Sequence, residues 1–124
     1  MSKHMKWDAG GASLKMHIEL EDSAEDIRLA LANALTRGMM AIGETAEKYA
    51  KEIVPVDTGR LRNSITYEVD TKESAVYIGS NVEYAAPVEL GNSRGMRPRP
   101  YLRPAATEHT AEYKDILKES LENA

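Results

Sequence analysis

The chain contains no cysteine among its 124 residues. This absence excludes disulfide bonds, thiol nucleophiles and thiolate metal ligands, and it is compatible with the reducing cytoplasm of a cell. Phenylalanine is also absent, and there is a single tryptophan. The hydrophobic core therefore has to be built from leucine, isoleucine, valine, methionine, alanine and tyrosine side chains.

Long hydrophobic runs are lacking as well. No stretch approaches the roughly 20 apolar residues of a membrane helix, and no apolar segment of signal-peptide length stands near the first residues. The formal net charge is −4, which gives no reason to expect general nucleic-acid binding. With 42% hydrophobic and 29% charged residues, we expect a soluble intracellular protein that folds as one domain over residues 1–124, with a flexible segment at 1–13.

The usual signatures of an enzyme are missing too. There is no glycine-rich loop that could cradle a phosphate and no nucleophile placed beside a base. The three histidines, His4, His17 and His109, are scattered singly rather than at the spacing of a metal-binding pair. We therefore predict no catalytic residue, no cofactor-binding residue and no metal ligand, and a protein that is not an enzyme.

Two periodic patterns occupy the first half of the chain. Apolar and polar residues alternate over 14–20, which predicts a half-buried strand. A capping sequence at Ser23 then opens an apolar stripe with helical spacing that runs to Pro55. Gly38 and Gly43 within it mark a bend or a close approach by another backbone. The stripe consists of Ile27, Leu31, Ala34, Leu35, Met39, Ile42, Ala46, Tyr49 and Ile53.

The second half predicts a hairpin and two further helices. Residues 65–70 and 75–79 read as two strands joined by a polar turn. A short helical turn follows with Pro87 near its start and Gly91 after its end, and Pro104 fits the first position of an amphipathic C-terminal helix. The outer face of that helix is acidic, with Glu108, Glu112, Asp115, Glu119 and Glu122, and only Lys114 and Lys118 oppose these charges. The predicted class is α+β, with a long N-terminal amphipathic helix packed on a small antiparallel sheet and a C-terminal helix.

Between the long helix and the hairpin lies a structural turn formed by Pro55, Asp57, Thr58 and Gly59. Proline lacks an amide proton and disfavours a helical residue before it, so the long helix should end there. The short side chains of Asp57 and Thr58 can bond nearby backbone amides, and Gly59 can adopt positive φ.

Asp57-Thr58-Gly59 is also the tripeptide of aspartic proteases, in which two carboxylates share a proton. That hydrolase is the remote alternative. A long helix leads into this aspartate, whereas those enzymes are almost entirely β. The nearby Arg60 and Arg62 would also hold the carboxylate ionised instead of letting it share a proton.

Residues 91–103 form the other informative stretch, which contains four arginines and no acidic residue. Its proline, glycine and serine content predicts an exposed, extended loop. Such a loop is suited to gripping a neighbouring molecule. The predicted oligomer or partner interface consists of Arg60, Arg62, Arg94, Arg97, Arg99, Tyr101 and Arg103.

Three blocks in this order resemble a bacteriophage head–tail joining and tail-component family, typified by the gene-ten product of an HK-type lambdoid phage. The blocks lie at residues 50–65, 76–91 and 97–105. The departures are an extra Arg-Pro step within 97–101, and Leu90 and Asn92 where the family often has Phe and Thr. These departures concern the conformation of the loop.

The resemblance implies a structural virion protein without cofactor or catalytic residues. Its role would be that of a head–tail connector or tail-completion subunit at the neck of a tailed phage or prophage. Such proteins form rings, commonly hexamers, between neck adaptors and the tail-tube or tail-terminator proteins, with a passing contact with DNA and none with a membrane. They assemble in the cytoplasm of the bacterial host.

A different reading takes the arginines as one basic surface that contacts phosphates, which would make the protein a nucleic-acid-binding module. The negative net charge and the lack of interleaved aromatic residues count against dedicated nucleic-acid recognition. Salt dependence distinguishes the two functions, because phosphate binding weakens steeply as salt rises.

Overall fold

The computed structural model describes residues 12–17, 25–56 and 59–124, which form three strands and five helices. The long helix, small antiparallel sheet and C-terminal helix confirm the predicted α+β class. In chain order the elements are β1 (Ala12–His17), α1 (Glu25–Ile53), α2 (Arg60–Ser64), β2 (Thr66–Asp70), β3 (Ala75–Ser80), α3 (Ala85–Leu90), α4 (Leu102–Thr107) and α5 (Thr110–Glu122).

The sheet has the strand order β1-β3-β2, with both pairings antiparallel. The central strand β3 is buried along its whole length, and Tyr77 within it lies opposite Lys15 of β1 and Glu68 of β2. The first strand begins at Ala12, inside the segment predicted to be flexible. Residues 1–11 of that segment and residues 18–20 of the predicted strand lie outside the described residues.

The middle part of the apolar stripe of α1 lies in the core. Its buried members pack against the sheet and against α4 and α5. The predicted first residue of the stripe, Ile27, is instead 50% exposed. The reason is that α5 runs antiparallel to α1 and its Ser120 hydroxyl meets α1 at the carbonyl of Ala34 (2.6 Å), well after Ile27. Ile53, the last residue of the predicted stripe, is also exposed, at 48%. The buried apolar side chains of α1 are those of Ala34, Leu35, Met39, Ile42, Ala46 and Ala50.

The two glycines of α1 lie where side chains approach the helix closely. A Cβ atom at Gly43 would stand 2.2 Å from the ring of Tyr67 in β2. One at Gly38 would stand 2.9 Å from Leu117 and 3.2 Å from Ser120 in α5. The close approaches are therefore made by side chains of the sheet and of α5, not by another backbone as predicted.

The predicted C-terminal helix is divided into α4 and α5 at residues 108–109. Pro104 is the third residue of α4, not the first helical residue as predicted, because a carboxylate from α3 caps the chain upstream of it. The break lets the His109 ring stack on Tyr49 of α1, with 3.6 Å between ring centroids. Glu108 consequently lies between the two helices and not on the acidic face of α5.

The turn after α1 agrees with its sequence pattern where it is described. The helix ends at Ile53, two residues before Pro55, and Gly59 has a positive φ of 83°. The next helix, α2, buries Leu61 between exposed residues on either side. Asp57 and Thr58 lie outside the described residues.

Candidate subunit interface

A buried carboxylate holds the base of the segment 91–103, called here the arginine loop. Glu89, in the last turn of α3, is only 8% exposed. Its Oε1 accepts hydrogen bonds from the backbone N–H groups of Tyr101 (2.8 Å) and Leu102 (2.7 Å), and its Oε2 accepts one from Arg103 (3.0 Å). These donors are the orphan amides at the start of α4. This Glu89 clamp therefore caps one helix from the end of another.

Hydrogen bonds to its backbone close the arginine loop, so it is not the extended arm predicted from its composition. Asn92 accepts hydrogen bonds at Oδ1 from the N–H groups of Arg94 (3.0 Å) and Met96 (3.1 Å), and it donates its own N–H to the Met96 carbonyl (3.1 Å). The Arg99 N–H bonds the carbonyl of Val88 (2.8 Å). The Asn92 side chain can make this turn because short polar side chains readily bond the backbone two residues on. The predicted exposure does hold, since residues 92–100 are all exposed.

Gly91 is needed for this closure. Its φ is +74°, and a Cβ atom there would stand 2.7 Å from the Met96 carbonyl oxygen. Glycine is the residue that adopts such a conformation without steric cost. The loop thus leaves α3 and returns to α4 as a compact protrusion anchored at both ends.

Three predicted interface residues, Arg94, Arg97 and Arg99, project from this protrusion. Within the described part of the chain their side chains are exposed and make no salt bridge or side-chain hydrogen bond. Arg103 is also exposed, at the start of α4, where its backbone N–H is held by the Glu89 clamp. The loop therefore presents guanidinium groups that are free to bind carboxylates or phosphates of another molecule.

Tyr101, which was also predicted at the interface, is fully buried at 0% exposure. Its hydroxyl donates a hydrogen bond to the carbonyl of Ala85 in α3 (3.0 Å). Burial and the nearby Glu89 raise the pKa of this hydroxyl above its usual range. Tyr101 supports the loop from inside the core and is not available to a partner, because the Glu89 clamp draws its backbone inward.

Arg60 and Arg62 lie on a different element, α2. Arg60 extends over the ring of Tyr84 (5.6 Å to the centroid) and towards the carboxylate of Glu83 (3.5 Å). The pKa of Glu83 is lowered, first by a hydrogen bond from the backbone of Glu83 itself and then by the positive charge of Arg60. Arg62 is exposed on the same helix. The six predicted arginines are thus divided among α2, the arginine loop and the start of α4.

Two exposed apolar residues that were not predicted at the interface accompany the arginines. Leu90, at the end of α3, is 67% exposed, and Met96 in the loop is 39% exposed. Methionine and arginine are both enriched at protein–protein interfaces relative to the rest of a surface. Met96 could have been recognised in the sequence as an apolar residue between arginines in a polar loop.

A surface of opposite charge runs along α5. Glu112, Asp115, Glu119 and Glu122 have helical spacing that places them on one face, and all four are exposed. They are called here the acidic stripe. The Tyr49 hydroxyl of α1 donates a hydrogen bond to Glu112 at one end of it. Each copy of the protein therefore carries a basic loop and, on a separate element, an acidic stripe.

Other kinds of site are not seen in the described ranges. No group of three or more histidine, aspartate or glutamate side chains there is arranged to hold a metal ion. The described helices include no candidate for a membrane-spanning segment. Asp57, on which the hydrolase alternative depends, lies outside the described residues.

Residues 15–91 match the model of a family described as "Bacteriophage HK97-gp10, putative tail-component". The matched range is more than half of the chain and runs from β1 through α3. The chain belongs to this phage tail-component family. The family match contains the first two motif blocks, whereas the block at 97–105 lies beyond it. Comparisons with curated proteins and with solved structures gave no match.

Proposed function

We propose that this tail-component protein is a head–tail connector or tail-completion subunit that forms a ring, a hexamer, at the neck of the virion. It would be assembled in the cytoplasm of the bacterial host and would contact neck adaptors on one side and tail-tube or tail-terminator proteins on the other. DNA passing through the ring would make only transient contact with it. The role is structural and non-enzymatic.

The observation that carries this proposal is that one subunit has two separate surfaces of opposite charge. The arginine loop has three free guanidinium groups on an anchored protrusion, and the acidic stripe lies on α5. A contact between different surfaces of successive copies is heterologous, and it closes into a ring when its rotation divides the circle. Arginine also binds carboxylates through two parallel hydrogen bonds, which fixes the orientation of the neighbour.

The test reverses two loop charges. In the double variant Arg97→Glu and Arg99→Glu, glutamates would face the acidic stripe of the next copy, and such like-charge juxtaposition costs several kcal/mol. Since each 1.4 kcal/mol is tenfold in affinity, we expect subunit affinity to fall roughly a hundredfold or more. Native mass spectrometry over a series of protein concentrations measures the fraction of subunits in rings.

The matched control reverses two exposed charges elsewhere, Lys48→Glu and Lys72→Glu, and should leave the ring fraction unchanged. Unaltered rings in the Arg97/Arg99 variant would exclude the arginine loop as the subunit contact. If that variant instead lost a strongly salt-dependent affinity for DNA while its rings persisted, the loop would be a phosphate-binding surface.

A further inference from the structure

A groove between α1 and α5 lies beside the acidic stripe. The two helices cross closely because Gly38 has no side chain, and Leu117 and Ser120 of α5 occupy that space. Next to this crossing the surface forms a groove of about 280 Å³. The groove is lined by Arg37, Gly38, Ala41, Ile116, Glu119 and Ser120, with Asn123 at its margin.

The groove has both apolar and polar lining residues, and it lies beside the acidic stripe. Its apolar side chains, Ala41 and Ile116, are half-buried. Glu119 belongs to the acidic stripe, and Asp115 lies one turn before it. Arg37 supplies a positive charge among the lining residues. An apolar tip would suit Ala41 and Ile116, and cationic groups beside that tip would suit Glu119 and the rest of the acidic stripe.

Met96 in the arginine loop has these properties. It is 39% exposed, and Arg94 and Arg97 flank it in the sequence. Methionine is unbranched and polarisable, so it fills irregular apolar spaces well. The groove is several times larger than the roughly 30 Å³ that a water molecule occupies in the liquid. The groove is not occupied by Met96 of the same chain, which is not among its lining residues.

We propose that Met96 of one copy inserts into the α1–α5 groove of the next copy, with the flanking arginines on the acidic stripe. This inference rests on the proposed ring and names the contact that would build it. The apolar tip supplies burial at the centre of the contact, while the charge pairs form its polar rim. The contact is heterologous, because the loop and the groove are different surfaces of one subunit.

Disulfide trapping tests the contact without interference, because the chain has no cysteine of its own. The double variant Met96→Cys with Ala41→Cys places one thiol in the loop and one in the lining of the groove. Under mild oxidation we expect a ladder of cross-linked multimers up to the full ring. If Met96 of one copy contacts the groove of the next, the two introduced thiols have an effective concentration in the ~mM range. At ~10 μM protein, cross-linking should therefore be on the order of a hundredfold faster than by random collision.

Two controls define the geometry. Mixing the two single-cysteine variants should give dimers and nothing larger, because each copy then has one reactive surface. The pair Met96→Cys with Lys72→Cys uses the exposed hairpin turn of β2–β3 instead of the groove, and it should cross-link only at the collisional rate.

Rings detected by native mass spectrometry without faster cross-linking than the Lys72 control would refute the Met96 contact and leave the ring intact. Rapid self-cross-linking of the Met96→Cys single variant would also refute it, since that result requires a symmetric loop-to-loop contact. A parent protein that remains monomeric at every concentration would instead refute the proposed ring itself. Circular dichroism of each variant confirms that it is folded.

Discussion

Removing the carboxylate of Glu89 should destabilise the whole domain, although this residue lies near the surface end of a six-residue helix. The Glu89 clamp makes three hydrogen bonds of 2.7 to 3.0 Å with consecutive backbone amides. Two of these amides belong to Tyr101 and Leu102, which are buried in the core. A solvent molecule cannot easily replace the missing acceptor there.

Two substitutions separate charge from shape. In Glu89→Gln the amide oxygen can keep the bonds to Tyr101 and Leu102, while the amide nitrogen faces the N–H of Arg103, donor against donor. Hydrogen bonds to charged groups contribute about 1.5–3 kcal/mol each, so we expect a loss of about 1–2 kcal/mol. In Glu89→Leu both buried amides lose their acceptor, and at about 1–3 kcal/mol each the expected loss is about 3 kcal/mol or more.

Urea unfolding followed by circular dichroism measures these losses. In thermal unfolding of a domain of this size, a loss of 1 kcal/mol in the free energy of unfolding lowers Tm by about 4 °C. The matched control is Glu52→Gln, the same chemical change at an exposed position of α1, which should stay within about 0.5 kcal/mol. Amide hydrogen exchange should also accelerate at residues 101–103 in the Glu89 variants. If Glu89→Leu were as stable as the control, the clamp would contribute nothing and the reasoning would be wrong.

Two further predictions concern packing and titration. Gly43→Ala should lower the free energy of unfolding by about 1–3 kcal/mol, as overpacking does, because the new Cβ atom would stand 2.2 Å from the Tyr67 ring. Helix propensity alone predicts the opposite, a gain of about 1 kcal/mol. A variant that urea unfolding shows to be stabilised would therefore contradict the structure. Burial raises the pKa of both Tyr101 and Tyr113, so as pH rises these protons are lost from the unfolded chain before they are lost from the folded protein. Their contribution to the free energy of unfolding is complete below the ordinary tyrosine pKa of about 10. Above that pH, stability should fall by up to about 1.4 kcal/mol per pH unit for each tyrosine. Unfolding curves between pH 8 and 11 check the slope, which Tyr101→Phe should reduce; equal slopes would refute the effect of burial.

Local sequence patterns were sufficient for most of the secondary structure. Periodicity placed α1 and the β2–β3 hairpin, because spacing along the chain directly determines which side chains share a face. The short helix before Gly91 was predicted from its proline and glycine, and the positive φ of Gly59 from the conformational freedom of glycine. The exposure of Arg94, Arg97 and Arg99 followed from composition.

The patterns were less reliable where distant segments meet. Ile27 has the spacing of a core residue but lies beyond the part of α1 that α5 covers. The C-terminal pattern is continuous in sequence, yet the chain breaks at residues 108–109, where His109 stacks on Tyr49. Neither contact can be read from spacing, because each joins residues that are far apart in the chain.

The α+β class, the phage tail-component family and the basic loop before the C-terminal helix are all recognisable from the order of the residues. What holds that loop, and which of its residues face outwards, depends on contacts between distant segments. Glu89 lies 12 to 14 residues before the amides that it caps, so the closed loop and the burial of Tyr101 depend on where the fold places α3 relative to the start of α4. Hydrogen bonds between separate elements form only when the whole core brings them together.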